Sequence, residues 1–336
     1  MIPPVSMPAD AEESELRVHP GLAARTVVVT GGAGFIGSHL VDGLVKAGAR
    51  VRIIDDFSTG FRQFVNPRAE LCEASLLDYA RIRAAFSGAE LVFHFAANAD
   101  VRHGLLHPRR DVEQNLLATH NVLEAMREHG VGRIAFASTG AVYGDATLIP
   151  TPEDAPFPIQ TSLYAASKLA AEGLLSAYAH GYGFRSSIFR FVSMLGPRYT
   201  HGHVFDFWRK LRRDPTRLEV LGDGKQQKSY LHVEDGVRAV LLGVARQTEP
   251  VRVLNIGHSD WLSVTDSVTV ICRQLGVSPA LAFTGGDRGW VGDSPKILLD
   301  TTRLRRLGWA PTVALADAIV ETLQFLEANP YCGARD

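Results

Sequence analysis

The sequence predicts an α/β fold: a doubly wound parallel sheet with helices on both faces and a smaller C-terminal lobe. Two observations lead there. From Thr26 onward, short apolar β-branched runs alternate with longer stretches of helical period. The first run, Val27-Val28-Val29-Thr30, breaks into Gly31-Gly32-Ala33-Gly34 before an amphipathic helix takes over. A glycine turn between strand and helix is the Rossmann signature of a dinucleotide site.

Residues 26–30 form the first expected strand and 35–46 the first helix. Between them Gly31 allows a tight turn, Gly34 lets backbone approach a pyrophosphate, and Gly37 lets the helix pack close to the strand. The phosphates then meet unpaired N–H groups at a helix N-terminus. Residues 51–54 form a strand ending in Asp55, 79–86 a helix, 91–95 a strand and 111–129 a long helix. Strand 133–138 ends in hydroxyls, helix 162–180 follows, and 185–191 is again a strand. Helices are expected at 204–213, 233–245, 264–275 and 313–327, and a strand at 251–256. Past Val192 the alternation loosens and glycine and proline thicken, as in Gly196-Pro197 and Gly222-Asp223-Gly224. Residues 25–192 therefore read as the dinucleotide domain and 193–330 as a substrate lobe, with 233–256 returning to the sheet. Residues 1–24 hold few large apolar side chains and lack the basic start and apolar stretch of a signal peptide; they read as a mobile tail.

Composition narrows the partners. A formal net charge of −1 gives no electrostatic case for nucleic acid or an anionic membrane surface. No apolar run approaches the ~18 residues of a membrane span. Cys72, Cys272 and Cys332 are odd in number and scattered, which suits a reducing cytoplasm better than a disulfide framework. Thr200-His201-Gly202-His203 offers two histidines without a third partner, so no metal is expected.

Asp55 stands at a strand end 24 residues after Gly31, where a carboxylate accepts ribose hydroxyls and repels a 2′-phosphate, favouring NAD over NADP. A solvated turn aspartate is the plainer alternative, and Asp56 is placed to share the task. Ser138 and Thr139 end a central strand on the side where ligands of open α/β sheets gather, though hydroxyls there also simply cap strand ends. Tyr164 and Lys168 are four apart and share a helix face. A phenol ordinarily titrates near ~10. Lys168 and an oxidised nicotinamide are two positive charges that would favour the phenolate and tune it as a base.

These residues, in this order, resemble the extended short-chain dehydrogenase/reductases and, among them, the nucleotide-sugar 4-epimerases of the UDP-glucose 4-epimerase type. Further matching stretches are Asp55-Asp56-Phe57-Ser58-Thr59-Gly60, His94-Phe95-Ala96-Ala97-Asn98, Asn115, Gly196-Pro197-Arg198, Ser229-Tyr230-Leu231-His232-Val233-Glu234-Asp235 and Leu307-Gly308-Trp309. The resemblance implies bound NAD held by Gly31, Gly34, Phe35, Ile36, Gly37, Asp55, Asp56, Ser58, Thr59, Gly60, Ser75, Leu76, Phe95, Ala96, Ala97 and Lys168. It implies that Tyr164 takes the proton of a sugar 4-hydroxyl while its C4 hydride leaves, and that the 4-keto sugar turns and regains the hydride on its other face. Thr139 would orient the hydroxyl, Lys168 would hold the ribose, and Asn115 would support the hydrogen-bond network. Asn98, Ser193, Val204, Lys228 and Arg288 would meet the nucleotide-diphosphate sugar. The helices at 111–129 and 162–180 would pair two copies into a homodimer, although their apolar residues also suit packing on the sheet.

Departures from the family pattern matter. Ser75 replaces a frequent adenine-contacting aspartate, Ser193 a common asparagine, and Lys228 an arginine, which keeps charge but loses a bidentate fork. Gly140 and Ala141 offer no proton donor where related dehydratases and decarboxylases carry acidic residues. Simple epimerisation therefore fits better than a dehydratase, decarboxylase or reductase, unless Asp100 or His103 supplies an acid. An NAD-binding scaffold or redox sensor is the non-enzyme alternative.

Overall fold

The computed structural model describes residues 21–99, 102–156, 159–290, 293–294 and 296–333, without the side chains of Arg102 and His103. Asp100 and the His103 side chain therefore lie outside the described residues, as do residues 1–20 of the expected tail. Gly21–Ala24 form a turn that docks on the domain: Leu22 is buried in the core, and the Ala24 N–H donates to the Gly48 carbonyl.

One seven-stranded parallel sheet organises the chain. Its strands are β1 (Thr26–Thr30), β2 (Arg50–Asp55), β3 (Glu70–Glu73), β4 (Leu91–His94), β5 (Arg133–Thr139), β6 (Arg185–Phe191) and the late β11 (Val251–Ile256), lying in the order β11-β6-β5-β4-β1-β2-β3. Order reverses between β1 and β4, the switch point where such sheets bind ligands. The first strand shows why its sequence is apolar throughout: Val27 and Val29 enter one hydrophobic cluster and Val28 the other, on opposite faces. Expectation and structure differ at β3, Glu70-Leu71-Cys72-Glu73. This edge strand is largely solvated, so it never carried an apolar run.

Helix α1 (Phe35–Lys46) follows the glycine turn, and α2 (Tyr79–Ile82) runs into a 3-10 turn at Arg83–Phe86. The expected helix at 111–129 is corrected in its first half. It comprises α3 (Pro108–Asp111), a π-helical segment (Val112–Leu117) and α4 (Ala118–Glu128). Helix α5 (Leu163–Tyr182) starts with Ser162 capping the Ala165 N–H and packs on β5 and β6.

The remainder is built from short strands: β7 (Ser193–Leu195) pairs with β10 (Tyr230–His232), β8 (Arg217–Val220) with β13 (Ala280–Phe283), and β9 (Gln227–Lys228) with β12 (Leu262–Ser263) and β14 (Lys296–Ile297). Helices α6 (His203–Arg213), α7 (Val233–Ala245), α8 (Val264–Leu275), α9 (Thr302–Arg305) and α10 (Leu315–Ala328) complete it. No helix among the described residues is long and apolar enough to cross a membrane.

Candidate active site

The glycine turn is shaped by close backbone approach. Gly31 has φ +71°, and a Cβ there would lie 2.6 Å from the Ala96 nitrogen; at Gly37 it would lie 2.0 Å from the Gly31 carbonyl oxygen. Gly34 caps α1 without a side-chain bond, and no acidic residue stands in the first turn. The N–H groups at this end, beside Phe35 and Ile36, thus fit an anionic pyrophosphate. Asp55 is buried, and its two oxygens accept the Ala33 N–H and the Phe57 N–H, each at 2.9 Å. It therefore staples the glycine turn to the loop carrying Asp56, Ser58, Thr59 and Gly60, and a carboxylate keeps further lone pairs for ribose hydroxyls. Asp56 is exposed and accepts the Ser58 N–H. Ser75 is half-buried and Leu76 lies in the core beyond β3.

At the C-terminal end of β5, three successive residues face α5. The Ala137 carbonyl accepts the Lys168 ammonium at 2.8 Å, the Ser138 hydroxyl donates to Glu172 at 2.5 Å, and Thr139 hydrogen-bonds the Tyr164 hydroxyl. Burial pushes the Tyr164 phenol up to about 12, against the Thr139 hydrogen bond, while buried Asp111 raises it further. Burial also draws Lys168 down to about 7, with Glu172 opposing. In the protein alone desolvation dominates both groups, and the Lys168 ammonium donates to the Ala137 carbonyl.

Asn115 occupies the π segment and is buried. Its amide accepts the Asn98 N–H at 2.9 Å and donates to the Ser167 hydroxyl at 3.0 Å, while Asn98 donates to Asp111. Ser167 in turn donates to the Tyr164 carbonyl. A buried relay missed in the sequence lies behind. Thr119 donates to the Asn115 carbonyl at 2.6 Å, so His94 Nε2 donates to Thr119, and Nδ1 accepts from Thr30. The Thr30 oxygen then accepts the Phe95 and Ala96 N–H groups. His94, within the matching His94–Asn98 stretch, was the available signal; nothing in local sequence marks Thr30 or Thr119.

Lys228 and Arg288 come together around Asp293. Lys228 Nζ donates to the Asp293 carboxylate and the Ser294 carbonyl; Arg288 donates to the Asp293 carbonyl and, through two nitrogens, to Asp145 at 2.8 and 3.2 Å. Asp145 lies one residue past Gly144, whose carbonyl accepts Ser294, so this cluster adjoins the turn that follows Thr139. A cavity of about 400 Å³ opens beside Arg288, Lys225, Gln226 and Lys296. Ser193 is exposed on β7, whereas Val204 is fully buried in the core, which leaves only its backbone to meet a ligand. Among the described residues no group of three or more His, Cys, Asp or Glu could hold a metal.

Comparison with known proteins agrees in outline. Residues 27–257 match the family described as NAD dependent epimerase/dehydratase. A putative UDP-glucose 4-epimerase of Methanocaldococcus jannaschii is 32% identical, covering 90% of this chain and 99% of that protein. A crystal structure of a UDP-galactose 4-epimerase superposes with a TM-score of 0.83 at 42% identity, over 90% of this chain and 99% of the other. The NAD complex of Thermus thermophilus UDP-glucose 4-epimerase gives 0.82 at 32% identity, with 90% and 99% covered. Relatives named UDP-glucuronic acid decarboxylase 1 and dTDP-glucose 4,6-dehydratase match as well.

Proposed function

The chain belongs to the NAD dependent epimerase/dehydratase family, and from that premise we propose that it inverts C4 of a nucleotide-diphosphate sugar, UDP-glucose/UDP-galactose or a uronate or amino-sugar relative. The observation that carries this reading is the Thr139–Tyr164 hydrogen bond, formed where β5 ends and one helical turn from the buried Lys168. NAD, when bound, supplies the hydride acceptor and then the hydride donor. Everything else falls to the chain. Tyr164 removes the proton of the 4-hydroxyl and later returns one to the 4-keto oxygen. Thr139 orients that hydroxyl and favours the phenolate. Lys168 holds the ribose; Asn115 fixes Asn98 and, through Ser167, the first turn of α5. Lys228 and Arg288 receive the diphosphate, with Ser193 and the Val204 backbone nearby in the same lobe.

Gly140 and Ala141 carry no proton donor beside Thr139, which favours plain inversion over elimination or decarboxylation. We assign residues 25–192 to cofactor binding and 193–330 to the substrate lobe. A cytoplasmic homodimer is part of the reading. Leu117 and Val112 on the π segment, and Leu163 at the start of α5, present exposed apolar side chains that a second copy would cover. The test is incubation with a panel of UDP-, dTDP-, GDP- and CDP-sugars. Interconversion of 4-epimers without net NADH change supports the reading; loss of water or CO₂, or stoichiometric NADH use, overturns it.

A further inference from the structure

Helix α5 presents three polar side chains at a spacing of four, Tyr164, Lys168 and Glu172, and each is tied to the end of β5. The first two belong to the chemistry proposed above. The third has no place in it. Glu172 is buried, accepts the Ser138 hydroxyl at 2.5 Å, and is gripped by Arg190 through Nε at 3.0 Å and a second nitrogen at 2.7 Å. Arg190, the β6 neighbour of Ser138, itself donates to the Tyr143 hydroxyl and the Glu153 carbonyl, which fixes the guanidinium that holds the carboxylate. A buried ion pair is weak evidence for added stability, since apolar replacements of equal volume are often as stable or more so.

We propose that Glu172 is a positioning residue of the epimerase site: it holds Ser138, and with it the Thr139 end of β5, in register with α5, and it is the counter-charge that keeps Lys168 an ammonium. The inference deepens the epimerase reading and rests on it for the roles of Thr139 and Lys168. Lys168 is fully enclosed, with the Ala137 carbonyl as acceptor and the Phe136 ring 4.7 Å from Nζ. The titratable and charged groups facing the pair are Tyr164 on α5, His94 on β4, which burial draws to about 3 and leaves neutral, and Arg190 on β6, which holds both oxygens of Glu172. Asp111 of α3 acts on the Tyr164 end of the stripe. Glu172 is thus the anion one turn away that opposes the desolvation of Lys168. Without it, Lys168 sheds its proton at lower pH, and the phenol loses its neighbouring charge.

The test is a ¹³Cε-lysine NMR titration of the NAD-bound protein, in which Lys168 is assigned by Lys168→Met. It is paired with the pH profile of kcat on UDP-galactose. Glu172→Gln is expected to lower the Lys168 midpoint by about one unit or more and to move the alkaline limb of kcat the same way. Glu172→Asp keeps the charge but is one methylene short of Ser138, so the midpoint returns while kcat stays at least several-fold low. Should Glu172→Gln leave Arg190 stranded and fail to fold, Ser138→Ala carries the test: it removes the tie without removing a charge, so kcat is expected to fall at least several-fold with the Lys168 midpoint unchanged, and an unchanged kcat overturns the tie. A folded, NAD-bound Glu172→Gln variant whose Lys168 titrates as in the wild type overturns the counter-charge role. Full recovery of kcat in Glu172→Asp overturns the tie to Ser138. The NMR midpoint needs no sugar, so a wild type that turns over no nucleotide sugar sinks the epimerase reading without deciding this one.

Discussion

At the residue scale, the Tyr164 hydroxyl starts far from neutrality, held up at about 12 by burial and by Asp111, with Thr139 pulling down. General-base work at neutral pH therefore depends on positive charge arriving beside the phenol, from Lys168 and the cofactor ring. Tyr164→Phe removes only the hydroxyl; turnover should fall by about 10²–10⁴-fold, the usual share of a proton-transfer group, with NAD content unchanged. Activity surviving that change would place the base elsewhere. His94 carries a second residue-level consequence. Burial lowers it from 6.5 to about 3, so the unfolded chain binds a proton that the native state does not. Its contribution is intact above pH 6.5 and is lost as pH falls toward 3. Glutamine has both an acceptor and a donor for Thr30 and Thr119 but does not titrate in this range. Melting temperatures of His94→Gln measured between pH 6.5 and 4 should accordingly fall less steeply than those of the wild type.

At the element scale, two joints decide whether the site assembles. In the turn between β1 and α1, a methyl at Gly37 would have to displace the Gly31 carbonyl. Gly37→Ala should cost about 1–3 kcal/mol as overpacking, visible as a lower melting temperature together with loss of copurified NAD. An unchanged NAD content would mean that the helix is not packed as described. The other joint is Asp145 against Arg288, linking the turn after β5 to the phosphate-side cluster. Both partners are partly exposed, so solvent screens the pair and it contributes little to stability. Asp145→Asn should free Arg288 for the diphosphate and lower KM for the nucleotide sugar by at most a few-fold; a large rise in KM would show that Asp145 positions the arginine instead. The π segment belongs to this scale too. Its apolar residues keep helical spacing, so the sequence read as one helix, yet the wide turn brings Asn115 inward to Asn98 and Ser167.

At the scale of the whole molecule, Leu105 at 66% and Leu106 at 71% exposure precede the exposed Val112 and Leu117 of the π segment, so this flank carries apolar side chains open to solvent. If a second copy covers Leu117 and Leu163, sedimentation velocity should give a dimer at micromolar concentration, and Leu117→Arg should shift it toward monomer by burying an unpaired charge. A wild type that sediments as a monomer would leave that flank without a partner.

The sequence by itself determined the parallel sheet, its glycine turn and the Tyr164–Lys168 face, because each is a local periodicity or a short motif that one stretch of chain carries. It also announced the return of Val251–Ile256 to the sheet, where Val251, Val253, Leu254 and Ile256 give a short run of strand-forming side chains. Tertiary structure alone decided the rest: that the Asp55 oxygens hold backbone at the glycine turn, that Val204 is buried, and that Tyr164 and Lys168 are shifted by desolvation before any charge between them counts. Burial and partnership depend on which distant segments close over a side chain. No spacing along the chain encodes that for Thr30 with His94, or for Glu172 with Arg190.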